Sequence, residues 1–209
     1  MAVRSAEVTR EKLLLAAHEL LVESPDRTST VSEICSRADV NVAMVKYCFG
    51  GKDAMLDALL EQVLAGLTKE LEGLYGIDLP PDQKLRRHVG EIVRNYVRYP
   101  YVNRLMNVRL MRSDPAAVNQ ISRSFAIPAR DWYALLLEEG EREQGWPKLD
   151  PTLFFFSVVG LCEFLFAAQP LLELSFDRRL DDQLVDDFAS QVADLIISGV
   201  RGARSSDAA

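Results

Sequence analysis

Lys46 and Tyr47 stand side by side in the stretch NVAMVKYCFGGK, residues 41–52, with Val42, Ala43 and Met44 before them and Lys52 after. A cation and a hydroxyl can hold phosphate oxygens, and small or apolar side chains can approach base edges, the thymine methyl above all. Other chemistry has less footing. The sequence contains no G-x-S-x-G elbow, no phosphate-binding G-x-x-x-x-G-K-[ST] loop and no H-E-x-x-H helix. Its two histidines, His18 and His88, lie far apart, and Cys162 beside Glu163 has no sequence neighbour to activate it. Three widely spaced cysteines (Cys35, Cys48 and Cys162) fit neither a disulfide framework nor a zinc site. They read as reduced thiols of a cytoplasmic protein. Neither an enzyme, a metal centre nor a cofactor is expected.

Lys46 and Tyr47 are expected on a helix, among helices. Strand alternation and tight hairpin turns are missing, so the expected class is all-α. TREKLLLAAHELLVES opens at Thr9 as a candidate N-cap and repeats Leu13, Leu14, Ala17, Leu20 and Leu21 at helical spacing. Thr30 with Glu33 three residues on makes a capping box for a short second helix. Asn41 is a plausible cap for a third helix over 42–48, ended by Gly50 and Gly51. A helix of about two turns is not stable alone. Ile34, Ala38, Val40, Val45 and Phe49 must pack on Leu14, Ala17 and Leu21 to hold it. The result is a helix-turn-helix, whose outer face serves equally, on spacing alone, as a DNA reader or as a solvated surface with no partner. Further helices are predicted near 52–75, 82–99, 101–112, 115–144, 151–169 and 181–201, with Asp-Pro starts at 114–115 and 150–151. His18 reads as structural, and His88, in LRRHVGE, as a residue of a solvated face.

Charge divides the chain. The total is −7, yet residues 1–56 hold 7 Lys+Arg against 8 Asp+Glu, so the front is near neutral and the rear acidic. Nonspecific DNA affinity should be modest, because few phosphates can be neutralised at once. The N-terminus meets charged residues at once and shows no apolar signal core. Residues 153–172, LFFFSVVGLCEFLFAAQPLL, have the length of a membrane span. Glu163 at the centre, Pro170 near the end and the lack of flanking Lys/Arg clusters favour a helix buried within protein, and no membrane partner is expected.

Residues 9–60 resemble the DNA-binding domain of the TetR-like (TetR/AcrR) transcriptional regulators. The resemblance rests on TSTVSEICSRADVNVAMVKYCFGGKDAML: Thr30–Val31 opening the second helix, Ala38–Asp39–Val40 at the turn, Val45 through Phe49 in the third helix, and Lys52 downstream. Asp39 replaces the usual turn glycine and Lys46 the usual first tyrosine. The resemblance implies a three-helix DNA-binding domain over 1–56 and a helical effector-binding and dimerisation domain over 57–209. It implies a homodimer on palindromic double-stranded operator DNA, a repressor released by a small, largely apolar effector. Thr30, Lys46, Tyr47 and Lys52 would meet phosphates, and Val42, Ala43 and Met44 the bases. In the family the last two long helices pair across the dimer. Here Leu184, Phe188, Val192, Leu195 and Ile196 would form a stripe that a monomer leaves exposed, together with part of 153–172. Candidate effector contacts are Tyr96, Met106, Arg109, Phe125, Trp132, Phe156 and Glu163. Arg109 and Glu163 could equally be paired within the scaffold, and the aromatics could be plain core. The alternative function is a helical ligand-binding or interaction protein without DNA binding.

Overall fold

Helix α1, Ala2–Glu23, starts ahead of the expected cap and carries Thr9 in its interior. Neither Gly nor Pro interrupts Ala2 to Glu23, so nothing local stops the helix from extending back. The computed structural model describes residues 2–25, 27, 29–112 and 115–202, and every regular element among them is helical. The chain divides into two compact units, Met1–Gly66 with Arg98–Ile121, and Leu67–Val97 with Ser122–Ala209. The functional boundary expected after residue 56 falls inside one continuous helix, α4 (Lys52–Tyr75).

In the first unit α1 packs against α2 (Val31–Ala38) and α3 (Ala43–Phe49). Leu13, Leu14, Ala17 and Leu21 of α1 are buried with Ile34, Ala38 and Val45, as the helical spacing predicts, while Val40 and Phe49 are half-buried. Each fully buried aliphatic side chain contributes about 1.5–3 kcal/mol, which stabilises an α3 too short to stand alone. The capping box forms: the Glu33 N–H donates to Thr30 Oγ1 at 3.2 Å, and the Thr30 N–H donates to Glu33 Oε2 at 2.7 Å. Arg37 at the end of α2 bonds Glu23 at 2.9 Å and Glu19 at 3.2 Å on α1. Helices α6 (Val102–Met111) and α7 (Pro115–Ile121) complete the unit, and the Asp114 cap expected for α7 lies outside the described residues. His18 is structural, as expected, with Nδ1 2.8 Å from the hydroxyl of fully buried Tyr101.

The second unit joins the end of α4 to α5 (Pro81–Arg98), α8 (Ile127–Gln144), α9 (Pro151–Ala167), α10 (Gln169–Phe176) and α11 (Asp182–Gly202). The single helix predicted over 115–144 is broken by a π-turn at Ser122–Ala126. Pro128 has no N–H to give the Ser124 carbonyl, and the hydroxyl of Thr68 donates to that oxygen instead, at 2.7 Å. The apolar run also breaks: α9 and α10 meet at a bend of 54° just before Pro170. Among the described residues no single helix is long and apolar enough to cross a membrane; this bent pair reaches that length only together. Asp150 caps α9 as predicted, accepting from the N–H groups of Thr152 and Leu153 at 2.8 and 2.9 Å.

Two expectations are corrected here. Of the α11 stripe, Val192 and Ile196 are buried in the unit's own core, and Phe188 lies edge-on to Phe166 at 6.4 Å. Only Leu195 is well exposed. The other half of that expectation holds: part of 153–172 is open on α9, where Leu153, Phe156 and Phe164 are 69%, 66% and 69% exposed. Within this one chain the two-sided apolar helix α9 turns one side outward, whereas α11 has a single stripe and buries it. His88 is not on a solvated face but buried, because it shares a stripe with Leu85, Val89 and Val93.

Candidate nucleic-acid interface and effector region

The turn between α2 and α3 depends on Asp39, which adopts the left-handed conformation at φ 54° and ψ 51°. A short polar side chain tolerates that region better than most. The Val40 N–H closes the turn on the Cys35 carbonyl at 3.0 Å. Asn41 caps the start of α3, its Oδ1 accepting from the Ala43 N–H at 2.8 Å. Gly50 ends α3 at φ 84°, its N–H bonded to the Lys46 carbonyl at 2.9 Å.

These caps fix which face of α3 looks out. Val45 points into the core, Met44 is half-buried, and Val42, Ala43, Lys46 and Tyr47 are exposed. Tyr47 is 75% exposed, far out for an aromatic ring. Lys52 is half-buried at the start of α4, and Thr30 is exposed although its hydroxyl is engaged in the capping box. The face therefore presents aliphatic and aromatic surface, one phenol and one ammonium.

The candidate effector residues divide between the units. Arg109 and half-buried Met106 belong to the first. Arg109 is 8% exposed and is ion-paired, as one sequence reading allowed: its Nε donates to the Asp57 carboxylate and its Nη2 to the Asp53 carbonyl at 3.2 Å. It lines, with Asp57, Glu61 and Gln120, a hollow of about 10 Å³, the space of roughly one water.

In the second unit Tyr96 stacks on Phe166 at 5.1 Å, and Phe125 meets Phe155 edge-on at 6.1 Å. Trp132 is buried with its ring 4.6 Å from His88. Phe156 lies on the outer face of α9, and Glu163 is half-buried with no hydrogen bond or ion pair among the described residues. Sequence reasoning missed the polar centre of this core: His88 Nε2 lies 2.9 Å from the Tyr133 hydroxyl. Burial pulls the His88 pKa down to about 3 and pushes the Tyr133 hydroxyl well up. The Cys162 thiol is raised to about 12, again by burial. All three are uncharged at neutral pH, so the His88–Tyr133 pair stands neutral within the aromatic core, and the buried Lys84 ammonium of the same unit is paired with Glu139 at 2.7 Å. The three- and four-residue spacing around His88 was the signal that could have found it.

The profile of a family described as tetracyclin repressor-like, C-terminal domain, matches residues 78–206. The HTH-type transcriptional repressor NicS of Pseudomonas putida is 26% identical over 203 residues, 95% of each chain. A probable HTH-type transcriptional regulator of Bacillus subtilis, YttP, is 24% identical over 156 residues, 73% of this chain and 74% of that one. The crystal structure of the transcriptional regulator FadR of Bacillus subtilis in complex with stearoyl-CoA superposes with a TM-score of 0.70 at 17% identity, covering 91% of this chain and 98% of that one.

Proposed function

Because the chain belongs to the TetR-like family of transcriptional regulators, we propose that it works as a homodimeric repressor on a palindromic DNA operator and leaves it when a small, largely apolar effector binds. The observation that carries the DNA-reading half is the outward face of α3. Folding hides Val45 but leaves Val42, Ala43, Lys46 and Tyr47 in water. An exposed aliphatic and aromatic face with a cation suits the floor and walls of a major groove. In this reading Lys46, Tyr47, Lys52 and Thr30 hold phosphates, while Val42, Ala43 and Met44 approach bases.

The dimer reading rests on α9. Leu153, Phe156 and Phe164 form an open apolar face of the kind a lone soluble subunit rarely keeps. Two-fold pairing through that face and α11 would present two α3 helices to successive major grooves, about 34–36 Å apart on the DNA. For the effector, support comes from the aromatic interior of the second unit around Tyr96, Phe125 and Trp132, with unpaired Glu163 as a polar contact. FadR, of the same fold, carries an acyl-CoA.

The test is binding to duplex DNA selected from a random pool by the purified protein, measured against salt. Lys46→Ala should weaken binding alike on all selected sequences and lower the salt slope by about one. An unchanged slope removes Lys46 from the interface. If no duplex is selected at any salt, the protein is a helical ligand-binding regulator that acts without its own DNA contact.

A further inference from the structure

Several basic side chains of the first unit are already engaged: Arg104 donates to the Arg27 carbonyl at 3.4 Å. Arg27 bonds Glu33, Arg37 bonds Glu19 and Glu23, Arg109 bonds Asp57, and Arg112 lies 4.0 Å from Asp53. Their charges are matched inside the protein. Among the described residues Arg10, Lys12, Lys46 and Lys52 have no carboxylate within ion-pair distance. Lys46 and Lys52 flank the end of α3. Arg10 joins them by geometry: its guanidinium lies over the Phe49 ring, 5.0 Å from the centroid. One turn earlier on α1, the Ala6 carbonyl faces the Cys48 thiol at 4.0 Å. Two successive turns of α1 thus run along the last turn of α3. Lys12, two residues on from Arg10, points about 200° around the helix and away from that contact.

We propose that Arg10 is a phosphate ligand of the DNA interface, held at the C-terminal end of α3 by the Phe49 ring. This rests on the DNA-reading role of α3 and extends the contact set onto α1. A guanidinium that lies over an aromatic ring spends its face on the ring and keeps its N–H donors, which point out along the plane, for an oxyanion. The ring contact also limits the side chain's freedom before DNA arrives, so less is lost on binding. The cationic phosphate row is then Arg10, Lys46 and Lys52, while Arg27 and Arg37 by α2 are already neutralised and add nothing to it.

The experiment compares the parent, Arg10→Gln and Arg10→Lys on the duplex that the parent selects, over a range of salt concentrations. Each phosphate neutralised contributes about 0.9 to the slope of log K against log salt. Arg10→Gln should therefore lower the slope by about 0.9 per protomer. Arg10→Lys should keep the slope and lose affinity, because an ammonium stacks less well on the ring. A slope for Arg10→Gln equal to the parent's overturns the assignment of Arg10 and leaves the reading of α3 intact. Failure of the parent to select any duplex overturns both.

Discussion

His88 carries the clearest consequence at the scale of a single residue. Its ordinary pKa is 6.5, and burial against Trp132 and Tyr133 lowers it to about 3. Between those values the unfolded chain takes up a proton that the folded chain refuses. Stability is thus full above about pH 6.5 and falls as pH drops towards 3, by at most about 1.4 kcal/mol per unit. Denaturant unfolding of the parent and His88→Gln at pH 6.5 and pH 5 checks this. The parent should lose up to about 2 kcal/mol more than the variant across that step, since carboxylate effects are common to both. Equal losses would mean that His88 is protonated in the folded chain. Arg109 teaches the converse lesson. A charged residue in an apolar helix suggests a ligand contact, yet its charge is already matched by Asp57, 52 residues away in sequence.

At the scale of elements the π-turn at Ser122–Ala126 is a feature that periodicity could not deliver. The apolar repeat runs straight through it, while Pro128 has no N–H to offer the Ser124 carbonyl and Thr68, 56 residues away, donates to it. Thr68→Val should leave the Ser124 carbonyl without that donor and destabilise the protein by about 1–3 kcal/mol. Adding Pro128→Ala restores a local donor, and the double variant should recover part of the loss. Strictly additive losses in thermal or denaturant unfolding would show that the two sites do not share the carbonyl. The caps of α2 and α3 were, by contrast, legible in advance, because Thr30 with Glu33 and Asn41 with Ala43 bond within three residues of each other.

At the scale of the whole molecule the question is what covers α9. Phe156 and Phe164 are exposed in the described chain, so replacing both with Glu should leave the subunit folded. Under the two-fold reading it would also bring two glutamates per subunit into an apolar contact, at a cost of several kcal/mol in dimerisation. Analytical ultracentrifugation should then find folded monomers where the parent is dimeric, with operator affinity reduced. A double variant that sediments as the parent does would put the contact elsewhere.

The all-helical class, the hairpin of α2 and α3, their caps, and the face of α3 that carries Lys46 and Tyr47 are written in local residue spacing. Those features follow from spacings of two to four residues, where backbone geometry links neighbour to neighbour and leaves little choice. Which apolar stripe lies inward depends on packing between helices, α11 burying Val192 and Ile196 while α9 leaves Phe156 and Phe164 open. The same packing pairs His88 with Tyr133 across 45 residues and sets Arg10 over Phe49. Such contacts depend on how separate helices meet, and a helix with apolar residues on two sides, such as α9, satisfies local rules whichever side is buried.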